Sequence, residues 1–221
     1  MARGQLGSMN LANKEEGLIY TSSILGNNLG VAAGLALAQK VKGSKGIVFV
    51  VTGDGAMEEG SFYETLLFLK SNGLSAFVII ENNFWSLATK INERRCEIDI
   101  KKFTAAFDMR YEELRGNNVY KYINKVHELK KYALENNASV CLEVYLSTLG
   151  SWLLKNEEYP AGKYVNYHAG IAPDTHFNEW PILEESEEDP IFVLQEDFDK
   201  KYLHEISSTL SNNLRKHLPR Q

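Results

Sequence analysis

The chain has 221 residues, 44% of them apolar and 11% aromatic, enough to bury one core, so a single domain spanning 1–221 is expected. A formal net charge of −5 leaves no basic footprint, which argues against nucleic acid and anionic membranes as partners and requires any phosphate site to be local. No apolar run reaches the roughly 20 residues that span a bilayer, the first ten residues lack a signal peptide's apolar stretch, and Cys96 and Cys141 form no Cys-x-x-Cys pair; a cytoplasmic setting is expected, without disulfide or zinc.

Along the chain, "NNLGVAAGLALAQKVKG" (Asn27 to Gly43) is small and Ala/Leu-rich and predicts a tightly packed helix stopped by its glycine. "GIVFVVTGDG" follows as an unalternated β-branched run, the pattern of a central parallel strand covered on both faces. "EEGSFYETLLFLKSNG" has apolar residues at Phe62, Leu66 and Leu69 and at Tyr63 and Leu67, acids in its first turn and Gly73 after its end, which predicts an amphipathic helix. "SAFVIIENN" reads as a second buried strand. Phe84 to Lys102 reads as an irregular loop whose charged end, "NERRCEIDIKK", belongs on a solvated surface. "NNVYKYINKVHELKKYALENN" predicts a helix with Tyr122, Val126, Leu129 and Ala133 on its apolar face and His127 as scaffold, and "SVCLEVYLS" a last strand that buries Cys141. Gly150 to Pro190 changes to Trp, Tyr, Gly, Pro and Asn and then an acidic run; a long excursion and a terminal helix from about Phe198 to His217 make 150–221 the variable part. The alternation predicts an α/β fold, a mostly parallel sheet with helices on both faces, and no internal repeat is visible.

The chemistry concentrates at "VVTGDGAMEEGSFYE". Asp54 ends a strand and a helix starts a few residues on, so the N–H groups near Gly55 and Ala56 point at one spot, a place that attracts anions. The glycines flanking Asp54, Gly53 and Gly55, let the main chain approach a ligand. A dinucleotide fingerprint fails at Glu58, where its third glycine would stand, and a Walker loop fails for want of Gly-Lys-Ser/Thr. Asn82 and Asn83 lie 28 and 29 residues beyond Asp54, the length of a β-α-β unit. Asp54 and one of the asparagines should therefore finish neighbouring parallel strands about 4.8 Å apart. An oxygen pair so placed suits a hard cation, Mg2+ best of all, with a diphosphate on the helix start supplying further oxygens.

"GDGAMEEGSFYE…ENN" resembles the thiamine diphosphate motif, which opens with Gly-Asp-Gly and closes with Asn-Asn just under thirty residues on. From "GQLGSM" to "CLEVYL" the chain is similar to the alpha subunit of the first component of 2-oxo-acid dehydrogenases, pyruvate dehydrogenase type, and more loosely to the amino-terminal half of transketolase. The resemblance implies thiamine diphosphate and Mg2+ as cofactors. It further implies that Gly26 and Leu29 approach the cofactor through their backbone, that Asp54 and Asn83 bind Mg2+ with the Trp85 carbonyl, and that Gly53, Gly55 and Ala56 cradle the diphosphate, with Asn82 a lesser candidate.

Departures from the family pattern are informative. In the family a long arm with an arginine that clamps the diphosphate comes before "GSM", whereas the sequence here starts almost at "GSM", and Asn10 stands where a histidine is usual. The family's histidine-rich loop reads "STLGSWLLKNEEYP" here, while "YHAG" resembles a later element and makes His168 the one catalytic candidate. Enzymes of this superfamily need a second domain that holds the aminopyrimidine and supplies an activating glutamate, and this chain has neither the length nor a repeat for it. The expectation is a diphosphate-binding subunit with a pyrimidine-binding beta-type partner, as α2β2, acting on a small 2-oxo acid. The alternatives are a transketolase-like subunit for sugar phosphates or a non-catalytic one that binds the cofactor without turnover.

Overall fold

The computed structural model describes residues 11–86, 89–147, 152–154, 157–165 and 186–217. The chain divides into two compact units, one of Met1–Leu114 with Asn124–Leu146, the other of Arg115–Ile123 with Ser147–Gln221.

The first unit opens with helix α1 (Asn27–Val41), whose buried face is Leu29, Ala32, Ala33 and Ala36. Strand β1 (Val48–Gly53) leads through a single 3-10 turn, Ala56–Glu58, into α2 (Gly60–Ser71) and then β2 (Ala76–Asn82). A hairpin of β3 (Trp85–Ser86) and β4 (Thr89–Lys90), two short helices α3 (Ile91–Arg94) and α4 (Ile100–Ala105), strand β5 (Arg110–Leu114), helix α5 (Val119–Asn136) and strand β6 (Val140–Tyr145) complete the order. The four main strands are all parallel in the order β1-β2-β6-β5.

Period-two alternation assigns the layers. Val50, Val78, Ile80 and Cys141 share a core with Leu29 of α1 and Phe62, Leu66 and Leu69 of α2. Phe77, Val140 and Leu142 share the other with Leu129 and Ala133 of α5. Helices thus cover both faces, as the pattern predicts. The side chains of Phe62, Leu66 and Leu69 are fully buried, and each contributes roughly 1.5–3 kcal/mol of transfer free energy. Cys141 is buried, and that burial pushes its thiol up from the ordinary range; Cys96 is exposed.

Two expectations are corrected, and a third element, β5, was not foreseen. First, β1 is the edge of the described sheet, and its Phe49 and Val51 are 44% and 48% exposed. A β-branched run predicts a strand without counting its neighbours: α1 and α2 pack on the Val50 face, while Phe49 stacks on Phe77 at 5.0 Å and still meets solvent beside a groove of about 840 Å³. Second, residues 84–102 are not an irregular loop but the β3–β4 hairpin and the two short helices, the second capped by Asp99, whose carboxylate accepts the Lys102 N–H at 2.9 Å. Third, β5, "RYEEL", has no apolar alternation to betray it. Its pairing with β6 and the clustering of Arg110 with Glu112, Glu128 and the Tyr132 ring hold it.

In the second unit, Asn118 caps the start of α5 by accepting the Lys121 N–H and donates to Asp197 at 2.7 Å, while Asn117 donates to the Glu187 carbonyl at 3.0 Å. Strands β7 (Trp152–Leu154) and β8 (Lys163–Val165) pair antiparallel. Helix α6 (Pro190–Val193) combines an Asp189 cap with proline in its first turn, the arrangement that leaves no N–H wasted, and α7 (Lys200–His217) forms the terminal helix. Among the described residues no helix is long and apolar enough to cross a membrane.

Candidate active site at the strand tips

The register decides what meets at the carboxyl ends of the strands. Thr52 pairs with Ile80 and Gly53 with Glu81, and one step further the Asp54 N–H donates to the Glu81 carbonyl at 3.1 Å. The same ladder sets Ile80 beside Glu143 and Asn82 beside Tyr145. Alternation therefore gives Asp54 and Asn82 the same parity as the buried Thr52 and Ile80, and both are buried. Beyond the tip of β1, the 3-10 turn uses the N–H groups of Glu58 and Glu59, bonded to the carbonyls of Gly55 and Ala56, so the amides of Gly55 and Ala56 have no partner within that turn.

Asp54 is 2% exposed and carries a cation: Arg94 Nη2 lies 2.9 Å from its Oδ2. Arg94 also pairs with Glu58, and Arg95 Nε meets the same Glu58 oxygen at 3.0 Å while its Nη1 donates to the Cys96 carbonyl. Two effects compete at Asp54. Burial raises its carboxyl above the ordinary aspartate value and outweighs the lowering by the Arg94 charge and hydrogen bond, so the pair does not fully repay the desolvation of the acid. The arginine is itself imperfectly satisfied: its Nε is buried with no hydrogen-bond partner among the described residues. The charges expected on a solvated surface thus turn inward at Arg94 and Arg95, whose side chains are only 13% and 12% exposed.

The two asparagines are used differently. Asn82 donates from Nδ2 to Glu143 Oε1 at 2.7 Å, and its Oδ1 accepts the Phe84 N–H at 3.1 Å. Asn83 Oδ1 accepts the Trp85 N–H at 3.0 Å. Directly after them the chain bends at Phe84, a non-glycine residue at φ 63°, a costly left-handed conformation that these two Asx bonds flank. Glu143, 4% exposed, is closed from its other side by the Tyr111 hydroxyl, which donates at 2.7 Å; burial and this bond push the Tyr111 phenol up.

Of the remaining sequence candidates, Gly26 caps α1 at φ 72° and receives a hydrogen bond on its carbonyl from the Ser61 hydroxyl at 3.3 Å, which brings the start of α1 against the start of α2. Leu29 is fully buried in the core beneath that contact. A Cβ at Gly55 would crowd the Ser86 side chain, 2.8 Å from its Oγ, and lie 3.7 Å from Arg94 Nη1, so Ser86 would have to shift. Trp85 lies under Lys90, whose ammonium is 5.2 Å from the ring centroid. A cavity of about 520 Å³ opens beside these groups, lined among others by Met57, Asn82, Trp85, Arg95, Glu143 and Tyr145. His168 lies outside the described residues. Sequence reasoning missed Arg94, Glu143 and Tyr111. One signal was available for Glu143, an acid inside the apolar run "SVCLEVYL"; nothing local connects Arg94 with an aspartate forty residues earlier.

The family model described as dehydrogenase E1 component matches residues 1–146, well over half of the chain. The chain belongs to the dehydrogenase E1 component family. Its similarity to the alpha subunit of the pyruvate dehydrogenase E1 component of Rickettsia typhi is 32% identity over 143 residues, 65% of this chain and 44% of that protein. An apulose-4-phosphate transketolase subunit of Actinobacillus succinogenes is 33% identical over 119 residues, 53% of this chain and 43% of that protein. Among solved structures, transketolase from Leishmania mexicana superposes with a TM-score of 0.49 at 21% identity over 57% of this chain and 20% of that one. The chain spans about half the length of the curated relatives it matches.

Proposed function

We propose that this member of the E1 component family is the diphosphate-binding subunit of a heteromeric enzyme dependent on thiamine diphosphate and Mg2+, one that decarboxylates a 2-oxo acid and transfers the acyl or aldehyde unit. The observation that carries the reading is a buried aspartate, Asp54, that already holds a cation at the carboxyl ends of a parallel sheet, immediately before a glycine where a Cβ would crowd Ser86. The residues fit the cofactor's chemistry. A buried carboxylate and a carboxamide oxygen suit a hard cation, and the first amides of the turn at Gly55 and Ala56 suit a diphosphate.

In this reading Asp54, Asn83 and the Trp85 carbonyl hold Mg2+, while Gly53, Gly55 and Ala56 hold the diphosphate. Gly26 fixes the backbone beside them and Leu29 anchors α1 beneath. The Asn82–Glu143–Tyr111 chain orients the turn that carries Asn83 and Trp85. Bound thiamine diphosphate supplies the carbanion chemistry; this chain supplies grip, orientation and a crevice that excludes water. A pyrimidine-binding beta-type subunit supplies the other half of the cofactor site and the activating glutamate, in an α2β2 assembly in the cytoplasm. Both relatives named above are themselves subunits by name, which supports a heteromer. His168 is the chain's own candidate for a catalytic side chain.

Calorimetric titration with thiamine diphosphate and Mg2+, for this chain alone and with its beta-type partner, tests the reading: weak binding alone and tighter binding with the partner are expected, and no binding in either mixture would remove it. One specific observation favours a second reading, the similarity to a transketolase subunit. Assay of the assembled pair with pyruvate, branched 2-oxo acids and ketose phosphates separates the two; turnover of the ketose phosphates alone selects the transketolase reaction. Cofactor binding without turnover of any of them selects a non-catalytic subunit.

A further inference from the structure

The reading of Asp54 as a metal ligand leaves Arg94 without a role, yet Arg94 occupies the very carboxylate that the ion would need. Its Nη2 lies 2.9 Å from Asp54 Oδ2, and its Nη1 pairs with Glu58, so one guanidinium bridges the acid at the tip of β1 and the acid that closes the following 3-10 turn. The arginine ends α3, a helix of a single turn with no buried residue of its own, on the segment that returns from the β3–β4 hairpin. It is 13% exposed, its Nε lacks a partner among the described residues, and it lies 3.7 Å from where a Gly55 side chain would begin. A monovalent cation on a one-turn helix thus offsets the charge of a buried acid while its own Nε donor stays unsatisfied among the described residues.

We propose that Arg94 is a tethered counter-ion that competes with the divalent metal: it neutralises Asp54 while no ion is bound and leaves that carboxylate when one binds. The inference rests on the metal-site reading of Asp54 above. Its physical basis is the cost of a bare buried carboxylate, 2% exposed, which some positive charge must offset. Metal and guanidinium compete for one oxygen, so each weakens the other by the same factor. Arg94 retains Glu58 as a partner at the site's rim, which gives the displaced charge somewhere to go. The arrangement would keep Asp54 charge-compensated in a subunit waiting for cofactor and partner.

The test is Mn2+ binding, followed by electron paramagnetic resonance on the purified chain with and without thiamine diphosphate. Arg94→Gln should bind Mn2+ tighter than the unaltered chain, by roughly tenfold. Arg95→Gln removes the same charge from Glu58 but no contact from Asp54, on which Arg95 acts only at a distance, and should change affinity far less. Arg94→Lys, which keeps the charge but loses the forked geometry, should fall between and serves if the glutamine variant does not fold. Equal affinities in Arg94→Gln and the unaltered chain, or equal gains in Arg94→Gln and Arg95→Gln, overturn the competition while leaving Asp54 as the metal ligand. Adding Asp54→Asn to any of these should abolish binding; Mn2+ binding by none of the variants in either mixture would overturn the competition and the metal-site reading together.

Discussion

Two acids are buried towards the carboxyl ends of β1 and β6, with β2 between them, and they are neutralised in opposite ways. Glu143 sits at the end of an inner strand, closed by two neutral donors, Asn82 Nδ2 and the Tyr111 hydroxyl, each 2.7 Å away and each fixed on a neighbouring strand of the same sheet. Asp54 sits at the tip of the edge strand and is met by a full positive charge that arrives from a one-turn helix forty residues on. The neutral donors come from strands paired with β6 on either side, whereas the guanidinium arrives on a one-turn helix with no buried residue of its own. Glu143 is thus a structural brace for the turn at Phe84, and Asp54 is the group left able to change partners.

That contrast can be broken in order of effect. Asp54→Ala should weaken Mn2+ or Mg2+ binding by roughly 100-fold or more, about 2.7 kcal/mol, while thermal unfolding moves little because Arg94 keeps Glu58. A chain that unfolds instead would make Asp54 the brace. Glu143→Ala should do the reverse, costing roughly 2–3 kcal/mol in denaturant unfolding by leaving the Asn82 amide unpaired and the Tyr111 hydroxyl with only the distant Glu113 carboxylate at 3.5 Å, with metal affinity falling only through the loosened turn. Gly26→Ala should cost about 1–2 kcal/mol, because its φ of 72° is retained and a Cβ would meet Ser61 Oγ at 2.5 Å; a neutral result would show that the starts of α1 and α2 can separate. The smallest effect is chemical. At about pH 8 a soluble disulfide reagent should modify Cys96 at once and Cys141 only after unfolding, since the raised Cys141 thiol stays protonated as pH rises past the ordinary range.

Periodicity was legible where each residue's fate depended on its near neighbours. The helix from Asn27 is observed as Asn27–Val41, and "SAFVIIENN" as Ala76–Asn82, because a 3.6-residue or two-residue rhythm needs only local context. Leu67 shows the limit: it belongs to the apolar pattern of α2 and yet is 44% exposed, because the pattern does not say how wide a stripe the sheet covers. Phe49 and Val51 fail likewise, a run typical of a central strand lying at an edge. Strand β5 was invisible because the partners that hold it, Glu128 and Tyr132 on Arg110 and the whole of β6, lie further along the chain.

Of the candidate site, the sequence by itself determined the Gly-Asp-Gly turn, the strand that precedes it, the paired asparagines one β-α-β unit later and, through them, the family. All of these follow from spacing and chain stiffness along a continuous segment. Only the tertiary structure decided which acid is exchangeable: it brought Arg94 onto Asp54, set Tyr111 and Asn82 around Glu143, and turned a charged loop end inward. Those pairings join residues 32 to 61 positions apart, and electrostatic partnership acts through space, where the order of residues along the chain carries no record of it.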